Sequence, residues 1–93
     1  MIIRVRLFSL LRSNYGRSVV DVETDRPLSL RELISEVTAR TGPGLTDALI
    51  EGEKIRKGTI LLVDGRNVLH GDGLATMVDG AKDICFFPPS GGG

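Results

Sequence analysis

A single cysteine, Cys85, is all this 93-residue chain carries. No disulfide can close within it, and such usage suits a reducing compartment, so a cytoplasmic localisation is expected. Tryptophan is absent, and one tyrosine and three phenylalanines are the only aromatic residues. Net charge is absent too, because twelve basic residues cancel twelve acidic ones. Nucleic-acid binding draws on a concentrated basic surface and on stacking aromatics, so both absences weigh against it. Nine of the twelve cations are arginine, which leaves a local arginine patch open. Long apolar runs are lacking as well. A run such as Thr59 to Val63 falls far short of the roughly twenty residues a bilayer requires. Met1-Ile2-Ile3-Arg4-Val5-Arg6 carries charge from its fourth position, unlike a secretory leader.

What remains is a soluble-type balance of 41% hydrophobic and 26% charged residues, enough for one small core and too short for two. Ile3, Val5 and Leu7 alternate with Arg4, Arg6 and Phe8, the period of a half-buried strand. Asn14 and Gly16 mark a turn region, and Val19–Glu23 reads as the returning strand, with Val20 and Val22 on one face. Ser29 and Glu32 stand at capping-box spacing, and Leu28 and Leu33 are placed as its hydrophobic staple. Leu30, Leu33, Ile34 and Val37 then form one apolar stripe, as on a helix with one covered face. Gly42-Pro43-Gly44 ends that helix, the glycine taking a left-handed cap.

From Leu45 to Lys57 the pattern weakens, and Leu45, Leu49 and Ile50 fit either a short helix or a covering loop. Thr59–Val63 is strand-like and is followed by an Asp64-Gly65 turn, with a short extension at Asn67-Val68-Leu69. Leu74 and Met77 are expected in the core. Asp83–Phe87 forms a last strand closed by two prolines. The order β-β-α-(short element)-β-β predicts an α+β fold in which one main helix packs on a mixed four- to five-stranded sheet. The terminal strand is expected beside the first.

The tail changes character within a few positions. Ile84 and Phe86 alternate with Cys85 and Phe87, so one pair faces the helix and the other the open face. Pro88-Pro89 removes two backbone donors and directs the chain out of the sheet. Ser90-Gly91-Gly92-Gly93 has almost no side chains and is able to project its carboxylate on the order of 13 Å. A β-grasp domain over residues 1–89 with a flexible tail at 90–93 is the expected organisation. A frayed terminus is the plain alternative, but a diproline anchor before three glycines favours a displayed end.

Val5-Arg6-Leu7-Phe8, Leu30-Arg31-Glu32-Leu33, Asp79-Gly80-Ala81-Lys82-Asp83-Ile84 and above all Phe86-Phe87-Pro88-Pro89 with its glycines resemble the MoaD/ThiS family of ubiquitin-like sulfur carriers. The likeness covers the whole chain and is nearer MoaD. Gly92 and Gly93 match the family's diglycine, while Ser90 and Gly91 fill the linking positions. Gly52 to Lys57, with the strand after it, is similar to the longer, archaeal-type members, some of which resemble protein modifiers. The resemblance implies a ubiquitin-like β-grasp and a non-catalytic carrier or small synthase subunit. In that role an E1-like enzyme uses ATP to adenylate Gly93, and a persulfide donor then converts it to a thiocarboxylate. The sulfur passes to a molybdopterin synthase large-subunit-like partner, in molybdopterin or tungstopterin synthesis. No bound cofactor is implied. The alternatives are a modifier joined to lysines through Gly93, and a non-covalent adaptor.

Cys85 has apolar neighbours and no basic residue beside it in sequence, so it reads as structural. His70 has no partner at metal-ligand spacing. Gly71-Asp72-Gly73 is not a phosphate loop, and Asp64, Asp72, Asp79 and Asp83 do not match a calcium loop. Phe8 and Phe87 are expected to form an exposed docking patch unless the Leu45–Ile50 segment covers them. Arg4, Arg6, Pro88 and Pro89 are expected to border it.

Overall fold

The computed structural model describes residues 1–89. β1 (Ile2–Leu7) buries Ile3, Val5 and Leu7, and β2 (Val19–Glu23) returns antiparallel to it with Val20 and Val22 buried. Where a turn was expected between them, the chain forms α1 (Leu10–Tyr15), which ends on a left-handed Gly16. Arg12, Ser13 and Asn14 face water, while Leu11 is buried and Tyr15 half-buried. Those two residues stand four apart on one helical face. Two inward-facing positions in a six-residue helix are too few to show a period in sequence.

β3 (Leu28–Ser29) runs into α2 (Leu30–Thr41) through the expected capping box. The Glu32 N–H donates to Ser29 Oγ at 3.1 Å, and the Ser29 N–H donates to the Glu32 carboxylate at 2.9 Å. Leu30, Leu33, Ile34 and Val37 are all buried. The helix ends differently from expectation, because Gly42 is extended at φ 168° and takes no left-handed cap. Glycine is required there for space, since a Cβ at position 42 would lie 2.9 Å from the Tyr15 ring.

α3 (Gly44–Leu49) occupies the stretch of weak pattern and buries Leu45 and Leu49, and the small hairpin of β4 (Ile50–Glu51) and β5 (Lys54–Ile55) follows. β6 (Ile60–Val63) and β7 (Arg66–Asn67) pair around Asp64-Gly65. Both turn residues have positive φ, 52° and 81°, as a type I′ hairpin requires. Val68 and Leu69 do not extend the strand; they enter a single 3-10 turn ending at His70. A second such turn, Gly73–Ala75, leads to β8 (Met77–Val78), which pairs with β3. That pairing sets Val78 beside buried Leu28 and Met77 beside Ser29. Met77, expected in the core, is therefore 56% exposed, and Val78 is buried. Leu74 packs half-buried against the core.

β9 (Ile84–Phe87) lies parallel to β1 and antiparallel to β6, and it completes a mixed five-stranded sheet in the order β2-β1-β9-β6-β7. Placing the last strand beside the first needs a close turn before it. A Cβ at Gly80 would fall 2.7 Å from the Ile2 carbonyl oxygen. With α2 and α3 over one face, this is the expected ubiquitin-like β-grasp. Among the described residues, no helix is long and apolar enough to cross a membrane.

Candidate functional site

Strand alternation divides β9 between two environments. Ile84 and Phe86 are fully buried on the helix side, while Phe87 is half-buried on the other. Phe8, which follows β1, donates its N–H to the Phe86 carbonyl at 3.1 Å. That bond brings the ring of Phe8 onto Phe87, with centroids 4.5 Å apart and planes 10° from parallel. The Arg6 guanidinium lies 5.9 Å from the Phe8 centroid, within cation–π range. Leu45 and Leu49 pack into the helix-side core, so α3 belongs to the opposite layer from this stack.

The ladder between β6 and β9 adds residues that the sequence reading did not name. Ile60 stands opposite Phe87 and Leu62 opposite Cys85. Ile60 is 41% exposed, so Phe8, Phe87 and Ile60 form a continuous apolar surface next to the end of the last strand. Such a surface on a small domain marks an interaction site. Cross-strand register is what assembles it, and register is not visible in a single strand's pattern.

The arginines expected at its border are engaged within the chain. Arg4 makes a forked pair with Asp21 at 2.8 and 3.0 Å, and Arg6 reaches both oxygens of Asp83 at 2.7 and 2.8 Å. Hydrogen bonding from Arg4 lowers the Asp21 carboxyl below its usual range. Asp83, with Cys85 next to it, holds the Arg6 guanidinium more firmly in its charged form. Cys85 is buried, and parallel pairing sets Arg6 directly beside it. A basic neighbour therefore exists that is not adjacent in sequence, because it comes from a strand nearly eighty residues away.

The diproline also departs from expectation. Pairing stops at Phe87, yet Pro88 is buried and Pro89 half-buried. Pro88 thus anchors the strand end instead of offering surface to a partner. Carried two residues further, the β6–β9 register sets Thr59 opposite Pro88 and Gly58 opposite Pro89. Thr59 is buried, and a Cβ at Gly58 would meet the Pro89 ring at 3.4 Å. Ser90, Gly91, Gly92 and Gly93, which the sequence reading made the reacting tail, lie outside the described residues.

No family model matches the chain. It is similar to small archaeal modifier protein 3 of Haloferax volcanii, 29% identical over 93 residues and covering the whole of both chains. The solution structure of the Haloferax volcanii HVO 2177 protein superposes with a TM-score of 0.82 at 29% identity, over all of this chain and 87% of that one. The crystal structure of SAMP1 from Haloferax volcanii superposes over the full length of both chains, with a TM-score of 0.80 at 18% identity. A putative molybdopterin converting factor subunit 1 from Pyrococcus furiosus covers 96% of this chain and 98% of its own, with a TM-score of 0.71 at 21% identity. The chain has the ubiquitin-like β-grasp fold that these proteins share. Its aromatic stack and buried Pro88 stand at the end of β9, the point in the chain after which residues 90–93 follow.

Proposed function

We propose that the chain is a carrier whose Gly93 carboxylate is activated by an ATP-dependent adenylating enzyme and converted to a thiocarboxylate. The observation that carries this reading is the apolar surface of Phe8, Phe87 and Ile60, contiguous with the anchored Pro88-Pro89 and so with the start of the glycine tail. A partner seated on that surface has the C-terminal residues within reach. A free carboxylate is a poor acyl donor, which is why activation is needed. A Gly93 oxygen attacks the α-phosphorus of ATP, forming an acyl adenylate and releasing pyrophosphate. The terminal sulfur of an enzyme persulfide displaces AMP to give an acyl disulfide, and a second thiol releases the thiocarboxylate. The acceptor we propose is a pterin precursor bound to a molybdopterin synthase large-subunit-like partner, in molybdopterin or tungstopterin synthesis. Catalysis resides in the partners.

The name of the Haloferax volcanii relative favours a second reading, in which Gly93 of this chain is conjugated to lysines of other proteins. Intact-mass analysis of protein isolated from its host separates the two. A terminal oxygen replaced by sulfur supports the carrier, and branched Gly-Gly peptides on lysines support the modifier. Finding neither, with partner function unaffected by loss of Gly93, would leave only an adaptor.

A further inference from the structure

We propose that Asp83 is a positioning residue for the apolar docking surface, acting through Arg6 on the ring of Phe8; this rests on the proposed seating of an activating enzyme there. Strand alternation puts Asp83, Cys85 and Phe87 on the face of β9 away from the helices, and parallel pairing sets Arg6 of β1 beside Cys85, midway along that row. One guanidinium nitrogen of Arg6 donates to both Asp83 oxygens, at 2.7 and 2.8 Å, while the same guanidinium lies 5.9 Å from the Phe8 centroid. Phe8 in turn stacks on Phe87 at 4.5 Å. Asp83 is itself fixed through its backbone. Its carbonyl accepts from the Asp64 N–H and its N–H donates to Asp64 Oδ1, both at 2.7 Å, and Asp64 opens the tight β6–β7 turn. A long, half-exposed arginine left alone samples many rotamers. Held at its end by Asp83, Arg6 keeps its charge over one ring before a partner arrives, and that side chain does not have to be ordered on binding.

The same sheet face supplies a matched control. Arg4 and Asp21 pair across β1 and β2 at 2.8 and 3.0 Å, yet among the described residues the cation–π contact belongs to Arg6 alone. Asp21→Asn and Asp83→Asn therefore remove the same charge and one exposed ion pair each. Only the second frees a guanidinium that lies over Phe8. Asparagine keeps the backbone hydrogen bonds at both positions.

Binding of the full chain and its variants to the host's adenylating enzyme would be measured by calorimetry, with thermal midpoints and Phe8 ring-proton shifts recorded for each chain alone. Both asparagine variants should lower the midpoint slightly and by similar amounts, as exposed ion pairs do. Asp83→Asn alone should weaken binding about threefold to tenfold, the cost of ordering one long side chain. It alone should also move the Phe8 ring-proton shifts toward those of an unstacked ring. In a Phe8→Ala background the loss from Asp83→Asn should vanish, because no ring is left to hold. Equal binding by the two asparagine variants, or Phe8 shifts that do not move, would overturn the role of Asp83. A loss that persists without Phe8 would overturn it too, marking a direct contact between Asp83 and the enzyme. Binding by the parent that is indifferent to Phe8→Ala would instead overturn the docking surface, and no binding by the parent would overturn the proposed activation itself.

Discussion

Phe86 and Phe87 are neighbours in sequence and opposites in environment. Phe86 is among the largest fully buried side chains, and Phe87 is half-buried in the stack with Phe8. Phe86→Ala should cost about 3–5 kcal/mol of stability, read by denaturant unfolding. Phe87→Ala should cost about 1 kcal/mol, the worth of an aromatic pair, while weakening binding to the activating enzyme about tenfold or more. Equal losses of stability would place Phe87 in the core and remove the docking surface. A second residue-scale prediction concerns Glu32. Its carboxyl is lowered from 4.5 to about 2, first by the Arg26 hydrogen bond and then by the Ser29 N–H. A carboxyl depressed on folding stabilises above its ordinary value, and that contribution disappears as pH falls through the folded value. The midpoint gap between the parent and Glu32→Gln should therefore be full at pH 7 and close as the pH falls toward about 2. A gap of constant size would show that charge at Glu32 plays no part.

At the scale of elements, α1 and α2 meet where Tyr15 lies against Gly42. A Cβ at position 42 would overlap the Tyr15 ring, so Gly42→Ala should destabilise by about 1–3 kcal/mol. Replacing Tyr15 with leucine in the same chain should recover part of that loss. An additive result would mean that the contact is not the cause. α2 was readable in advance because its cap, stripe and length are local properties, and twelve residues suffice to show a 3.6-residue period. α1 was not, because its inward positions, Leu11 and Tyr15, matter only once the β1–β2 hairpin closes beneath them. Met77 was misplaced for the same reason. Two adjacent apolar residues do not reveal which one pairs beside Leu28.

For the whole molecule, the fully buried apolar residues among those described run from Ile3 to Phe86, and the proposed work of the tail belongs to residues that follow them in sequence. Deleting Gly93 should abolish ATP–pyrophosphate exchange and leave the thermal midpoint unchanged within error; a marked drop in midpoint would tie the last residue to the core. The sequence by itself determined the strand faces of β1 and β2, the capping box and buried stripe of α2, and the order of elements that yields a β-grasp. All of these depend on side-chain periods and short-range hydrogen bonds. The tertiary structure alone decided what surrounds the tail. It set Ile60 beside Phe87, brought Arg6 to Asp83 and Cys85, buried Pro88, and laid Pro89 against Gly58. Each of these is a meeting of strands far apart in the chain. Register across a sheet is fixed by closing the whole core, so no single segment carries it.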